Sequence, residues 1–235
     1  MSYSVLSLIS VTIFALVHLW AQKTNALNRI SRGKFLSAGG GVAIAYVFID
    51  ILPKLSKSDY TVTQALAGVF PYFERHVYIM ALLGFLLFFT VDRVQKSSLK
   101  KRSFWLSFAS YSLFNFLVGY AVVDKENPEV RPLILFTIAI ALHYFTNDFA
   151  LTQEHKKEYQ RMGKWLLIGS LFLGWIVGFT YTLSPTAIAL VSAFIGGGVI
   201  MNVTRHELPS DNPNSLNAFL FCAAMYTIIL LFIGK

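Results

Sequence analysis

The sequence predicts an all-α protein, a polytopic membrane helix bundle of about eight transmembrane helices. Three observations carry this. Of 235 residues, 55% are hydrophobic and 14% charged, where a water-facing domain carries roughly a quarter charged residues. The apolar residues gather into runs close to the ~20 residues that cross a hydrocarbon core. Lysine and arginine concentrate in alternate connections between those runs, the pattern that orients a multi-pass chain.

The runs are 2–21, 35–53, 76–91, 104–123, 132–147, 165–183, 185–204 and 215–234, in a single transmembrane domain covering 1–235. The first carries no formal charge and lacks a basic leader, so it reads as a span and not as a cleaved signal. Run 76–91 is short, but Arg75 and Arg93 flank it and can snorkel to the interfaces. The long uncharged stretch 165–204 divides at Leu183-Ser184-Pro185, because proline bars helix for its predecessor and suits the start of the next helix. Between the second and third runs, Val62, Ala65, Leu66, Val69 and Phe70 share one helical face. That face fits a short helix lying in the outer interface or a loop helix packed on the bundle.

The first, third, fifth and seventh loops hold 14 of the 20 Lys and Arg residues. They are therefore expected in the cytoplasm, with both termini on the non-cytoplasmic side of an integral, multi-pass protein. The net charge of +8 is spread over these short loops without a basic, aromatic-interleaved patch. It speaks for anionic lipid headgroups and against nucleic acid as a partner. Cys222 is the single cysteine, which excludes an internal disulfide.

Two spans echo each other. The second reads Gly39-Gly40-Gly41-Val42 and reaches Leu52-Pro53; the seventh reads Gly196-Gly197-Gly198-Val199 and reaches Leu208-Pro209. By the charge count they run in opposite directions, giving inverted-repeat character of the kind found in secondary transporters. Glycines that merely let helices pack closely would look the same.

Polar groups at membrane depth are costly and mark function. At ~1.5 Å per residue, His143 falls about 16 Å below the outer end of its span, and Asn115 about as far from the inner end of its own. Both lie near the midplane. Asn147 follows His143 by one turn with Asp148 beside it, Asp50 sits in the outer part of span two, and Asn202 and His206 sit in the inner part of span seven. A lone histidine or asparagine could equally serve as interhelical glue, at roughly 0.6 kcal/mol, Asp50 could face the outer interface through Lys54, and His206 could already sit in the cytoplasmic headgroups.

At this point the chain resembles the ZIP (Zrt/Irt-like) metal transporters. The segments GGGVAIAYVFIDILPKL, YSLFNFLVGYA, ALHYFTNDFAL and GGGVIMNVTRHELP carry the resemblance. It implies a metal site halfway across the membrane, built from His143, Asn115, Asn147, Asp148 and Asp50. The family's span-four histidine and aspartate positions are occupied by Phe114 and Val118, and its span-five proline position by Thr146. Zinc usually takes four ligands, or three and a water, and asparagine serves it poorly. The architecture reads as retained and the metal site as eroded.

Three functions follow. The first is a divergent ZIP-like transporter that moves a divalent cation (Zn, Fe or Mn) as substrate, or another small solute, by alternating access. His143, Asn115 and Asn147 would then bind the cargo, and no further cofactor is implied. The second is a ZIP-like structural or regulatory subunit that does not transport. Its 21 Phe and 11 Tyr suit lipid or a protein partner, including a homodimer or larger membrane assembly. The third is an intramembrane enzyme, since His143-x-x-x-Asn147 resembles a fragment of a protease motif. That chemistry needs a Glu pair or second intramembrane histidine to activate water, and the reading finds neither, so a non-enzyme is expected. An open polar cavity at Asn115 and His143 would favour transport; a plug of Phe114, Tyr144 and Phe145 would favour the second function.

Overall fold

A computed structural model describes residues 2–20, 29–68, 75–95, 100–123, 129–208 and 213–233. These form helices α1 (Tyr3–Trp20), α2 (Arg29–Tyr46), α3 (Leu52–Leu66), α4 (His76–Gln95), α5 (Lys100–Ala121), α6 (Val130–Glu154), α7 (Lys156–Glu158), α8 (Lys164–Thr180), α9 (Pro185–Asn202) and α10 (Pro213–Ile233). Three π-helical turns interrupt them: Val47–Ile51, Tyr159–Gly163 and Val203–Glu207.

Among the described residues, seven helices are long and apolar enough to cross a membrane, so this is an integral multi-pass protein whose lipid-facing surface is apolar. The eighth expected span, α5, is long enough but less apolar than these seven. It lies along the membrane-crossing α8 from Phe108 against Gly163 to Tyr120 against Gly178. Its apolar character is diluted by Ser107, Ser110, Tyr111 and Asn115, all buried in the bundle. The exposed tryptophans Trp20, Trp105 and Trp165 stand at one end of their helices, and exposed Tyr60 and Tyr181 at the other, as residues of two membrane interfaces do.

The second span does not stop at Pro53. It runs unbroken from α2 through the π turn into α3, and the 34 residues of Gly33–Leu66 reach about 50 Å, well past a ~30 Å hydrocarbon core. Proline lacks an N–H and its ring crowds the preceding turn. Here the Leu52 N–H bonds five residues back to the Val47 carbonyl, a wider turn that accommodates Pro53. Leu208 makes the same bond to Val203 at 3.1 Å, directly before Pro209. The two Gly-rich spans thus share a π turn as well as a sequence. Of the proposed interfacial helix, Val62 is buried in α3, which packs on α4 and α9; Val69 and Phe70 lie outside the described residues.

Helix pairing follows the glycines. A Cβ on Gly41 would overlap the α10 backbone at Phe219, on Gly197 that of Ala81 in α4, on Gly84 that of Phe194 in α9, and on Gly119 that of Leu171 in α8. These pairs run parallel, because residue numbers rise together along each contact: Gly33 with Ser215 and Gly41 with Ala223, Gly84 with Phe194 and Asp92 with Arg205. Span two and α9 run antiparallel: α2 packs on the Val203–Glu207 turn, and α3 packs on α9.

Two bodies result. In one, α1 is bonded to its neighbours by polar side chains: Thr137 to Ser10 at 2.8 Å, Trp175 to Ser7 at 3.1 Å, and Tyr159 to the His18 carbonyl at 3.0 Å. With the glycine-locked α5 and α8, this joins α1, α5, α6 and α8. The other holds α2, α3, α4, α9 and α10. The seam between them has aromatic contacts, Phe88 against Phe114 and Tyr46 against Phe136, and is bridged by Tyr226 of α10, which donates to the Leu135 carbonyl of α6 at 2.6 Å.

Candidate functional site

The buried polar groups centre on a residue the sequence reading passed over. Span one was taken as a run without charge, yet His18 in its last turn is 1% exposed. Its Nδ1 lies 2.6 Å from Asp148 Oδ2, and its Nε2 lies 2.8 Å from Asn115 Oδ1. Nothing in a single apolar run marks such a histidine. The signal was available only in combination, as an unpaired aspartate in span five and a histidine at the same end of span one.

The hydrogens of this trio can be assigned. Asn115 Nδ2 donates to the Tyr111 carbonyl at 2.8 Å, so the atom it turns to His18 is the acceptor Oδ1. His18 Nε2 must therefore carry a hydrogen. A second proton lies between Nδ1 and Asp148, because a bare nitrogen facing a bare carboxylate at 2.6 Å would repel it. The trio as a whole is neutral, an imidazolium beside a carboxylate or an imidazole beside a carboxylic acid.

His143 and Asn147 form a second pair. Asn147 Nδ2 donates to His143 Nε2 at 3.0 Å, and both residues are buried. The expected meeting of Asn115 with His143 takes an indirect form, with Asn115 held by α1 and His143 by its own helix. Asp50 stands elsewhere, accepting from Lys54 at 2.9 Å. The five residues expected around a metal therefore fall into three places. Among the described residues, no three His, Cys, Asp or Glu side chains gather as a metal site would require. His18 does supply a second buried imidazole, with both of its nitrogens engaged by Asp148 and Asn115.

Comparison with protein-family models and with curated proteins finds no match to this chain.

Above these pairs opens a cavity of about 640 Å³, lined by Tyr3, Tyr46, Asp50, Lys54, Phe136 and Ser192 among others. Its walls come from both bodies. At its floor Tyr46 meets Phe136, and a column of ring contacts continues inward through Phe14, Tyr144, Phe114 and Phe88 to Tyr111. Phe145 is not in this column; it packs on Phe35. Beyond the column, Tyr111 reaches Asn202 Oδ1 at 3.4 Å. Asn147 Oδ1 and Asn202 Nδ2 are buried there without hydrogen-bond partners.

Proposed function

We propose that this protein is a ZIP-like membrane transporter that moves a small polar solute by alternating access, with its entrance open on the side of Asp50 and Lys54. The observation that carries this is the cavity: polar at its mouth, walled by two groups of helices, and closed below by aromatic rings. A volume of about 640 Å³ suits a small-molecule site. The matched π turns of the two Gly-rich spans border the path and support an inverted repeat, since π turns recur at functional positions. The unpartnered amide atoms of Asn147 and Asn202 supply polar lining for its inner half.

The aromatic column favours one second reading, a ZIP-like subunit that does not transport, because Phe114 and Tyr144 are buried against each other where the path would run. Uptake into proteoliposomes separates the two. Zn, Fe and Mn ions and a panel of small neutral and zwitterionic solutes are offered to the parent protein and to Ser192→Trp, which fills the cavity. Saturable uptake of any of them, lost in Ser192→Trp, supports transport. A folded parent that takes up none sustains the non-transporting role.

A further inference from the structure

Two of the residues that resemble metal ligands, Asp148 and Asn115, are already occupied by the chain itself. We infer that His18 is a built-in substitute for a cation, and that it excludes divalent metal from Asp148 and Asn115. The argument rests on geometry. Among the described residues, Asp148 is the carboxylate that His18 joins to the buried amide of Asn115, and it is 1% exposed. A buried carboxylate needs a partner, and a transported or bound metal would be one answer. Here the His18 ring lies between Asp148 and Asn115 at 2.6 and 2.8 Å, in the space that an ion bound to Asp148 and reaching Asn115 through a water would need. It turns an N–H to Asn115 and shares a proton with Asp148, so it satisfies both oxygens and cancels the charge.

The exclusion has two parts, and neither depends on which atom holds the shared proton. An ion would have to displace the ring from both partners, and the ring is fixed. Tyr144 lies against it with centroids 4.8 Å apart, and Tyr159 bonds the His18 carbonyl. An ion would also meet a trio that is already neutral, so little Coulomb energy would repay its dehydration. Span one provides this ring, and none of the segments that carry the family resemblance contains it. The inference stands whether or not the protein transports a solute.

Removing the ring should expose the site. Purified full-length protein in detergent is titrated with Zn²⁺, Mn²⁺ or Cd²⁺ alone, with binding read by calorimetry and by the shift in melting temperature. Asp148→Asn identifies ions bound at this place. The parent should show no binding that Asp148→Asn removes. His18→Ala, which leaves Asp148 and Asn115 around a ring-sized space, should gain saturable binding at least ~10-fold tighter than the parent's, lost again in His18→Ala/Asp148→Asn. If His18→Ala is not monodisperse, His18→Ser takes its place in the same titrations. Asp148-dependent binding in the parent overturns the inference. So does a folded His18 variant that gains none.

Discussion

The trio of His18, Asp148 and Asn115 places the largest energetic stakes on single side chains. Breaking a buried pair strands the remaining charge, at roughly 3–5 kcal/mol, whereas removing both partners leaves no charge to strand. His18→Ala and Asp148→Ala should each destabilise by about that amount, and the double variant should lose far less than their sum. Unfolding titrations of the four proteins in mixed micelles check this; additive losses would mean that the two residues do not act as a pair. The coupling also explains what the sequence reveals at this scale. Asn115, His143 and Asn147 were legible as buried polar groups because each lies inside an apolar run, and Asp148 because it directly follows one. Their partners were not. Span spacing gives depth, but the rotation of a helix about its axis decides whether Asn115 turns toward His143 or toward His18. That rotation is set by packing across the whole bundle.

At the scale of elements, glycine is read correctly from sequence as a contact residue, but its weight differs from site to site. A Cβ at Gly197 would overlap the backbone of Ala81, which cannot move aside as a flexible side chain can. A Cβ at Gly169 meets nothing within 4 Å. Gly197→Ala should therefore force α4 and α9 apart and cost about 1–3 kcal/mol. Gly169→Ala should be neutral or stabilise by up to ~1 kcal/mol through helix propensity. Melting curves of the two variants decide it, and equal effects would refute the backbone lock. The Leu-Pro pairs mislead in the other direction. Proline ordinarily ends a helix, so the second span was expected to close at Pro53. A π turn lets it continue into α3, and a wider turn has no signature in hydrophobic periodicity.

For the whole molecule, crossing number and helix pairing agree without reference to charge. The parallel pairs α1 with α6, α2 with α10, α4 with α9, and α5 with α8 join the first span to the fifth, second to eighth, third to seventh and fourth to sixth. Each pair has matching parity, as eight alternating crossings require, so α5 crosses despite its polar residues. Sidedness rests on the 14 of 20 basic residues in odd loops. Cysteines placed at Ser2 and Lys100 in a Cys222→Ser background should label from opposite sides, Lys100 from the cytoplasm.

The division into two bodies makes a sharper demand on any transport. If access alternates, the seam must shift, and with it the Tyr226 bond to the Leu135 carbonyl that crosses it, while the glycine locks and the polar bonds of α1 hold within bodies. Gly39 of α2 faces Thr146 of α6 across the seam, with a Cβ at Gly39 falling 3.3 Å from the Thr146 methyl. Ser10 and Thr137 meet inside one body, oxygen to oxygen at 2.8 Å. Both pairs are close enough to bridge as cysteines with only small movements, given the ~3.8 Å Cβ separation of a disulfide. In the same Cys222→Ser background, oxidised Gly39→Cys/Thr146→Cys should stop uptake by at least ~90% and recover on reduction, since a covalent tie holds the seam in one of its two states. Oxidised Ser10→Cys/Thr137→Cys should retain most of the parent rate, because its tie joins helices that already move together. Uptake that survives the first bridge would mean that the solute passes without relative motion of the bodies, and loss under both would mean that the seam lies elsewhere.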